Sequence, residues 1–399
     1  MPGPLEGVRV VDLTTVMYGP YCTQIMGEMG ADVIKVEPPG GDVTRLVGPA
    51  RHRGMSASIL MKGKNKRSIV LDLSKESARE ALGRIVAKAD VFIHNMRPRA
   101  ADKLRIAYDD VRRFNPQIVY CAAVGYGRDG PYRDKPAYDD LIQGASGLAA
   151  LMGGMLGGEP RYVPSVLADK TSGLFALYAI LMALFHRERT GEGQAVDVSM
   201  FEAFTSFVMN EHLQASVFEP PLGPPGYARL LSPNRRPYAT RDGHICVLPY
   251  TDRHWRRFFE IAGRPELADD PRFVDMPART ENINALYGIV AEVLPRRTTA
   301  EWLEAFEQAD IAAMPVNTPQ DLFTDPHLQA VGFFEESDHP SEGRIRTMRP
   351  PIRMSKTPPG SGRPAPRLGE HSREILAEAG LSEDEIRALF EDKASMQGN

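Results

Sequence analysis

The run VRVVDL (8–13), followed by GPYCTQIMGEMGA (19–31) and DVIKV (32–36), decides the fold. The first and last pieces are short apolar runs that read as buried strands. The middle piece reads as a helix with small residues on one face. Glu37-Pro38-Pro39-Gly40-Gly41 stops the second strand. Strand, helix and strand in so short a length form a βαβ unit, which requires a parallel pair and a right-handed crossover. Outward from it the pattern repeats. Ser68 to Leu73, Asp90 to His94 and Ile118 to Val124 read as further strands, with helices over Ser74 to Ala89 and Tyr108 to Asn115. Alternation of this kind predicts an α/β fold with a doubly wound, Rossmann-like parallel sheet. The residues after VRVVDL, Thr14-Thr15-Val16-Met17-Tyr18-Gly19-Pro20, contain no G-x-G-x-x-G. The fold class therefore brings no dinucleotide with it, and an oxidoreductase of that type is disfavoured.

The 399 residues exceed what one simple core accommodates, so two domains are expected. EPPLGPPGYARLLSPNRRP, within residues 218–237, is dense in Pro and Gly and reads as a linker. Tyr238 to Leu248 reads as a hairpin with Asp242-Gly243 at its turn. Helices follow near Arg253 to Ala262, Glu281 to Leu294 and Thr299 to Ala309. Residues 238–337 are thus expected to form a small α+β domain, and residues 1–217 with 338–399 a large one. Proline density rises again over residues 350–366, where Asp338 to Met354 resembles returning strands.

A net charge of -4 with dispersed basic residues excludes an electrostatic case for nucleic acid. The short group Lys62, Lys64, Lys66 and Arg67 suits a phosphorylated small molecule or a solvated loop. Cys22, Cys121 and Cys246 are far apart, so neither disulfides nor a zinc site is expected, and no other metal cluster is evident. The first residues lack the pattern of a secretory signal. The apolar run Leu174 to Phe185 is too short to span a bilayer. A cytoplasmic protein with no membrane partner is the expectation.

RYVPSVLADKTSG (161–173) puts a lone acid, Asp169, where a loop enters a long apolar helix. An Asp there is commonly an N-cap, accepting the unpaired N–H groups of the first turn. Beside Thr171, Ser172 and Gly173 a partly dry nucleophile is the alternative, though on this stretch alone the cap is the favoured reading. His186, Arg187, Arg189, Thr190 and Gly191 close the helix.

Taken together, several spaced motifs resemble the class III CoA-transferases, the family that includes formyl-CoA transferase, carnitine and bile-acid CoA-transferases and 2-methylacyl-CoA racemase. They are residues 5–45, NKRSIVLDL (65–73), DVFIHNMRP (90–98), NPQIVYCAAVGYGRDGP (115–131), AYDDLIQGASGL (137–148), the Asp169 stretch, RTGEGQAVDVSM (189–200) and residues 311–334. The resemblance implies a large domain built from both chain ends, a small inserted domain, and two subunits interlocked as a homodimer. It implies Asp169 as the nucleophile that accepts an acyl group and then CoA. Coenzyme A is then a part of the acyl-CoA substrate rather than a permanently bound cofactor, and the other partner is a free carboxylic acid.

The resemblance further implies a CoA groove lined by Lys66, Arg67, Arg97 and Lys103, with Glu37 and Pro38 near the first crevice. Lys135 and Tyr138 also fall at its edge. The acid pocket is implied at Val16, Met17 and Tyr18, with Gly226 in a glycine loop that is either an oxyanion donor or an ordinary linker. Two departures bear on specificity. The racemases carry a His where this chain has Tyr138, so proton exchange at the α-carbon lacks one base. Formyl-CoA transferase has a polar amide where this chain has Met17, which favours a larger or more apolar acid. A racemase and a catalytically silent CoA-binding protein are the alternatives.

Overall fold

The computed structural model describes residues 3–155, 158–360 and 362–398. Contacts divide the chain into two compact units. The first comprises Met1–Gly147, Val163–Phe207 and Ala330–Asn399, and the second Leu148–Tyr162 and Val208–Gln329.

The first unit is α/β. Its strands are β1 (Arg9–Asp12), β2 (Asp32–Glu37), β3 (Lys66–Leu71), β4 (Val91–His94), β5 (Val119–Val124) and β6 (Ala195–Ser199). The helices are α1 (Tyr18–Glu28), α2 (Ala57–Lys62), α3 (Glu76–Val86), α4 (Pro98–Leu104), α5 (Tyr108–Val111), α6 (Asp139–Ala145) and α8 (Leu167–Thr190); α7 (Leu148–Met155) belongs to the second unit. One seven-stranded sheet runs in the order Ser395–Met396, β3, β2, β1, β4, β5, β6. β1 to β6 pair in parallel, and only Ser395–Met396 is antiparallel, against β3. The parallel strands are near-continuous apolar runs because helices cover both faces and leave no solvated side. Val10, Val11, Val91, Phe92, Val119 and Tyr120 are fully buried. Helices Ser372–Glu378 and Glu383–Glu391 add Ile375, Leu376 and Ile386 to the core that α3 covers.

The strand order reverses between β1 and β4. In an open parallel sheet that reversal leaves a crevice beyond the carboxyl ends of the two strands. The loops leaving β1 and β4 are Leu13 to Met17 and Asn95 to Arg97, so sheet order alone nominates them as a binding site.

The second unit holds a three-stranded antiparallel sheet of Tyr238–Ala239, His244–Leu248 and Ala312–Pro315. Its own core is aromatic, with Trp255, Phe258, Phe259, Phe273, Trp302 and Phe306. The expected hairpin with Asp242-Gly243 at its turn is present. The segment expected as a linker, residues 218–237, groups with this unit. Arg229 donates to the Tyr287 hydroxyl at 2.9 Å, and Asn234 to the carbonyl of Asn284 at 3.2 Å, so the segment is fastened to the helix Ile283–Val293. Residues 148–162 also group here, and Ala330 onward groups with the first unit. The strands expected over residues 338–354 pair with each other, as Phe334–His339 against Gly343–Met348.

α8 is longer than its apolar run suggested. Its 24 residues are long and apolar enough to cross a membrane by length and composition alone. A soluble core helix passes the same test, and α8 packs closely on α1. A Cβ placed on Gly173 would lie 2.8 Å from the carbonyl oxygen of Tyr18, so only glycine permits that approach. Gly191, in the left-handed conformation at φ +76, ends the helix as expected.

Candidate active site

A cavity of about 330 Å³ occupies the crevice between β1 and β4. Its lining includes Val16 and Tyr18 from the loop after β1, Arg97 after β4, Lys135 and Tyr138 before α6, and Asp169 of α8. Residues distant in sequence thus meet at the switch point of the sheet.

Asp169 is not the N-cap of α8. Val166 occupies that position, and Asp169 sits within the first helical turn. Its side chain is 7% exposed, and among the described residues its carboxylate accepts no hydrogen bond. The Asp169 N–H donates to Asp139 Oδ1 at 3.0 Å. Asp139 is fixed in turn by the Gln143 amide, which donates to Asp139 Oδ2 at 2.6 Å and to the carbonyl of Ser165 at 3.1 Å. Gln143 Oε1 accepts the Val163 N–H at 2.9 Å. One turn of α6 therefore orders the whole entry to α8. Burial pushes the Asp169 carboxyl up to about 7; the Asp139 charge adds to the rise, and the Lys62 ammonium opposes it. A carboxylate so placed is half-dry and poised near neutrality, which suits a nucleophile better than a cap.

The loop before α1 is held from several sides. Thr15 donates its N–H to Asn95 Oδ1 at 2.9 Å, and Asn95 Nδ2 donates to the carbonyl of Thr15 at 2.8 Å. Val16 adopts φ +69, a left-handed conformation that a β-branched residue rarely takes. Its N–H donates to Asp42 Oδ2 at 3.2 Å, and its carbonyl accepts from Lys62. Tyr18 is buried, and its hydroxyl donates to the carbonyl of Val198 at 2.8 Å. Met17 is half-buried and does not line the cavity.

Arg97 is exposed at the start of α4, with one guanidinium nitrogen on the carbonyl of Asp134 at 3.2 Å. Lys135 stands 3.9 Å above the Tyr132 ring. Both cations lie at the mouth, where an anionic chain would enter. Tyr138 is 63% exposed beside them.

The rest of the expected groove is not brought here. Lys66 is buried in the core, its ammonium on Asp12 Oδ2 at 3.1 Å, Thr23 Oγ1 at 2.6 Å and the carbonyl of Pro20 at 3.2 Å. Arg67 points to the opposite face of β3 and is shared by Asp32, Glu374 and Glu378. Glu37 is buried against Arg45 at 2.7 Å and Ser68 Oγ at 2.8 Å. The correction has one physical reason: these groups stand in strands buried on both faces, where a charge must be paired internally. Pro38 and Lys103 are exposed and do not line the cavity. Gly226 lies in the second unit, at φ +126, with its N–H donating to the carbonyl of His212 at 2.7 Å. That bond leaves the expected oxyanion donor already engaged.

Asn95, Gln143 and Lys62 escaped the sequence reading as site residues. Asn95 lies inside a quoted motif, and the spacing of Asp139 and Gln143 (i, i+4 on a helix) was available as a signal. Lys62 offered none beyond its charge. No His lines the cavity. His94 is buried, with Nε2 on the Tyr120 hydroxyl at 2.7 Å, and His186 is exposed on the last turns of α8. Among the described residues no cluster of His, Cys, Asp and Glu is arranged to hold a metal.

Comparison with known proteins gives a consistent outcome. Residues 5–372 match the model of CoA-transferase family III. The succinate–glutarate CoA-transferase of Agrobacterium fabrum is 34% identical over 385 residues, covering 94% of this chain and 95% of that protein. A succinyl-CoA:mesaconate CoA-transferase of Haloarcula hispanica is 32% identical, covering 98% of this chain and all (100%) of that protein. The crystal structure of a CAIB/BAIF family protein from Brucella suis superposes with a TM-score of 0.80 at 33% identity, covering 95% of this chain and 100% of that one.

Proposed function

The chain belongs to CoA-transferase family III, and from that premise we propose that Asp169 carries CoA from a donor thioester to a free acid. The observation that carries this reading is a buried carboxylate in the switch-point cavity that accepts no hydrogen bond among the described residues. Ionised Asp169 attacks the carbonyl carbon of the donor acyl-CoA. The C–S bond breaks, CoA leaves as thiolate, and an aspartyl-acyl anhydride forms. The thiolate then attacks the aspartyl carbonyl, and the donor acid departs as its carboxylate. The acceptor carboxylate attacks the resulting aspartyl-CoA thioester, and the same two steps run in reverse. No bond energy is lost, because each intermediate is itself an activated acyl group. Water would destroy both intermediates, so burial of Asp169 serves the chemistry directly.

Arg97 and Lys135 supply cations for the CoA phosphates. Val16 and Tyr18 shape the place of the acid, which the rings and methyl groups of that wall would fit to a chain of several carbons. Relatives named for succinyl-CoA and for glutarate or mesaconate support succinyl-CoA as donor and a dicarboxylic acid as acceptor. The absence of a His from the cavity lining disfavours two-base proton exchange. A homodimer completes the proposal. Leu174, Tyr178, Met182 and Phe185 leave one face of α8 apolar and 44–66% exposed, and a second copy would cover it.

The test is intact mass after brief exposure to succinyl-CoA and other acyl-CoAs, with hydroxylamine trapping. A CoA-sized adduct or a hydroxamate on Asp169, lost in Asp169→Ala, is expected. An adduct that survives in Asp169→Ala, or none with any donor while CoA still binds, would sink the mechanism.

A further inference from the structure

Lys62 closes α2, is 5% exposed, and has no part in the transfer steps set out above. Its ammonium donates to the carbonyl of Val16, the residue that holds an unfavourable left-handed conformation in the wall of the Asp169 cavity. The N–H of Val16, on the preceding peptide group, is held by Asp42, whose carboxylate also accepts the Thr44 N–H at 2.9 Å and pairs with Lys35 at 3.4 Å. Strain of this kind persists only where the surroundings over-determine it, and it concentrates at functional sites.

The charges around Lys62 come from every neighbouring element. Asp42 follows β2, Lys35 lies in β2, Lys66 lies in β3, and Asp169 stands on α8. Asp139 on α6 acts on Asp169 in the opposite sense to Lys62. Lys66 and Lys35 have their own partners in Asp12, Asp42 and the carbonyl of Thr14. Lys62 is the cation whose field acts on Asp169.

We propose that Lys62 is a positioning residue for the transfer reaction: it clamps the strained Val16 peptide and supplies the positive field that favours the ionised form of Asp169. Burial brings the Lys62 ammonium down to about 8, still above the value near 7 at Asp169. The inference rests on the nucleophile reading above, and its test separates the two.

Adduct formation with succinyl-CoA is followed by intact mass against pH in the full chain, for wild type, Lys62→Met, Lys62→Gln and Lys62→Arg. Wild type should show a lower limb near pH 7, where Asp169 ionises. Removing the charge should displace that limb upward, so that the rate well below it falls about tenfold per unit of displacement, while at about pH 9 only the smaller, pH-independent loss from releasing the Val16 carbonyl should remain. Lys62→Arg, charged at every pH, should keep the limb. An unmoved limb in a folded neutral variant overturns the proposal, even where the rate falls equally at all pH values. Should neither neutral variant fold, Lys62→Arg decides, because a limb displaced upward in the presence of a fixed charge is incompatible with it. Absence of any adduct in wild type would instead defeat the nucleophile reading itself.

Discussion

Asp12 and Asp169 are both buried in the first unit, at 0% and 7% exposure, and they live opposite lives. Burial alone would raise the Asp12 carboxyl, but the ammonium groups of Lys66 and Lys35 and the hydroxyls of Thr14 and Thr23 outweigh it and hold the group well below the usual carboxylate range. Asp12 is a charge that the fold has completed. Asp169 has a neighbouring carboxylate, one cation behind the Val16 peptide, and an open cavity in front. The difference teaches where to look for chemistry. A buried ion with all its partners is architecture, whereas one left unfinished is held for something that arrives.

The sharpest way to break that comparison is Lys66→Met. If Lys66 is architecture, leaving Asp12 uncompensated should lower stability by about 3–5 kcal/mol in urea titration, with KM for acyl-CoA in the folded protein nearly unchanged. A small loss of stability with a large rise in KM would return Lys66 to the CoA groove. Asp169→Asn should do the reverse. The carboxyl has an ordinary value of 3.8 and a folded value of about 7, so the folded state prefers it protonated. Ionising it therefore destabilises the fold, increasingly as pH rises from 4 towards 7. At about 1.4 kcal/mol for each tenfold change in proton affinity, the cost approaches about 4 kcal/mol above neutrality. The Asn variant should melt higher than wild type at about pH 8, inactive, and the gain should vanish towards about pH 4. A variant that melts lower at pH 8 would mean that Asp169 is a stabilising cap after all. The smallest effect is expected at the mouth. Arg97→Ala should raise KM for acyl-CoA about 10- to 100-fold, the worth of one charge-assisted contact, with the melting temperature unmoved. An unchanged KM would remove Arg97 from the site.

Much of this contrast could be read before any coordinates. The apolar runs marked β1 to β5, and the pause at Glu37-Pro38-Pro39-Gly40-Gly41 marked the end of β2, because parallel strands must be apolar on both faces. Asp169 stood out as an acid heading an apolar helix. Lys66 and Arg67 were put in the CoA groove by the resemblance, and the strand reading did not argue against it. The strand was taken to begin at Ser68, whereas β3 begins at Lys66. Two residues of error put two cations in a loop instead of a sheet interior, and side chains alternating across the pleat sent them to different ion pairs. The partners of Asp169 were illegible for another reason. Asp139 is 30 residues away in sequence, and only the packing of α6 on the entry of α8 brings it near. Lys62 acts through a peptide carbonyl, which no motif records.

The strand Ser395–Met396 closes the outer edge of β3, with Ser395 Oγ donating to the carbonyl of Val70 across 325 residues. During synthesis on the ribosome, β3 must therefore wait as a bare template while most of the chain is still being made. An unpaired parallel edge invites the wrong strand. Arg67 at the start of that edge acts meanwhile as a gatekeeper, since its charge is met only by Asp32 until Glu374 and Glu378 are made.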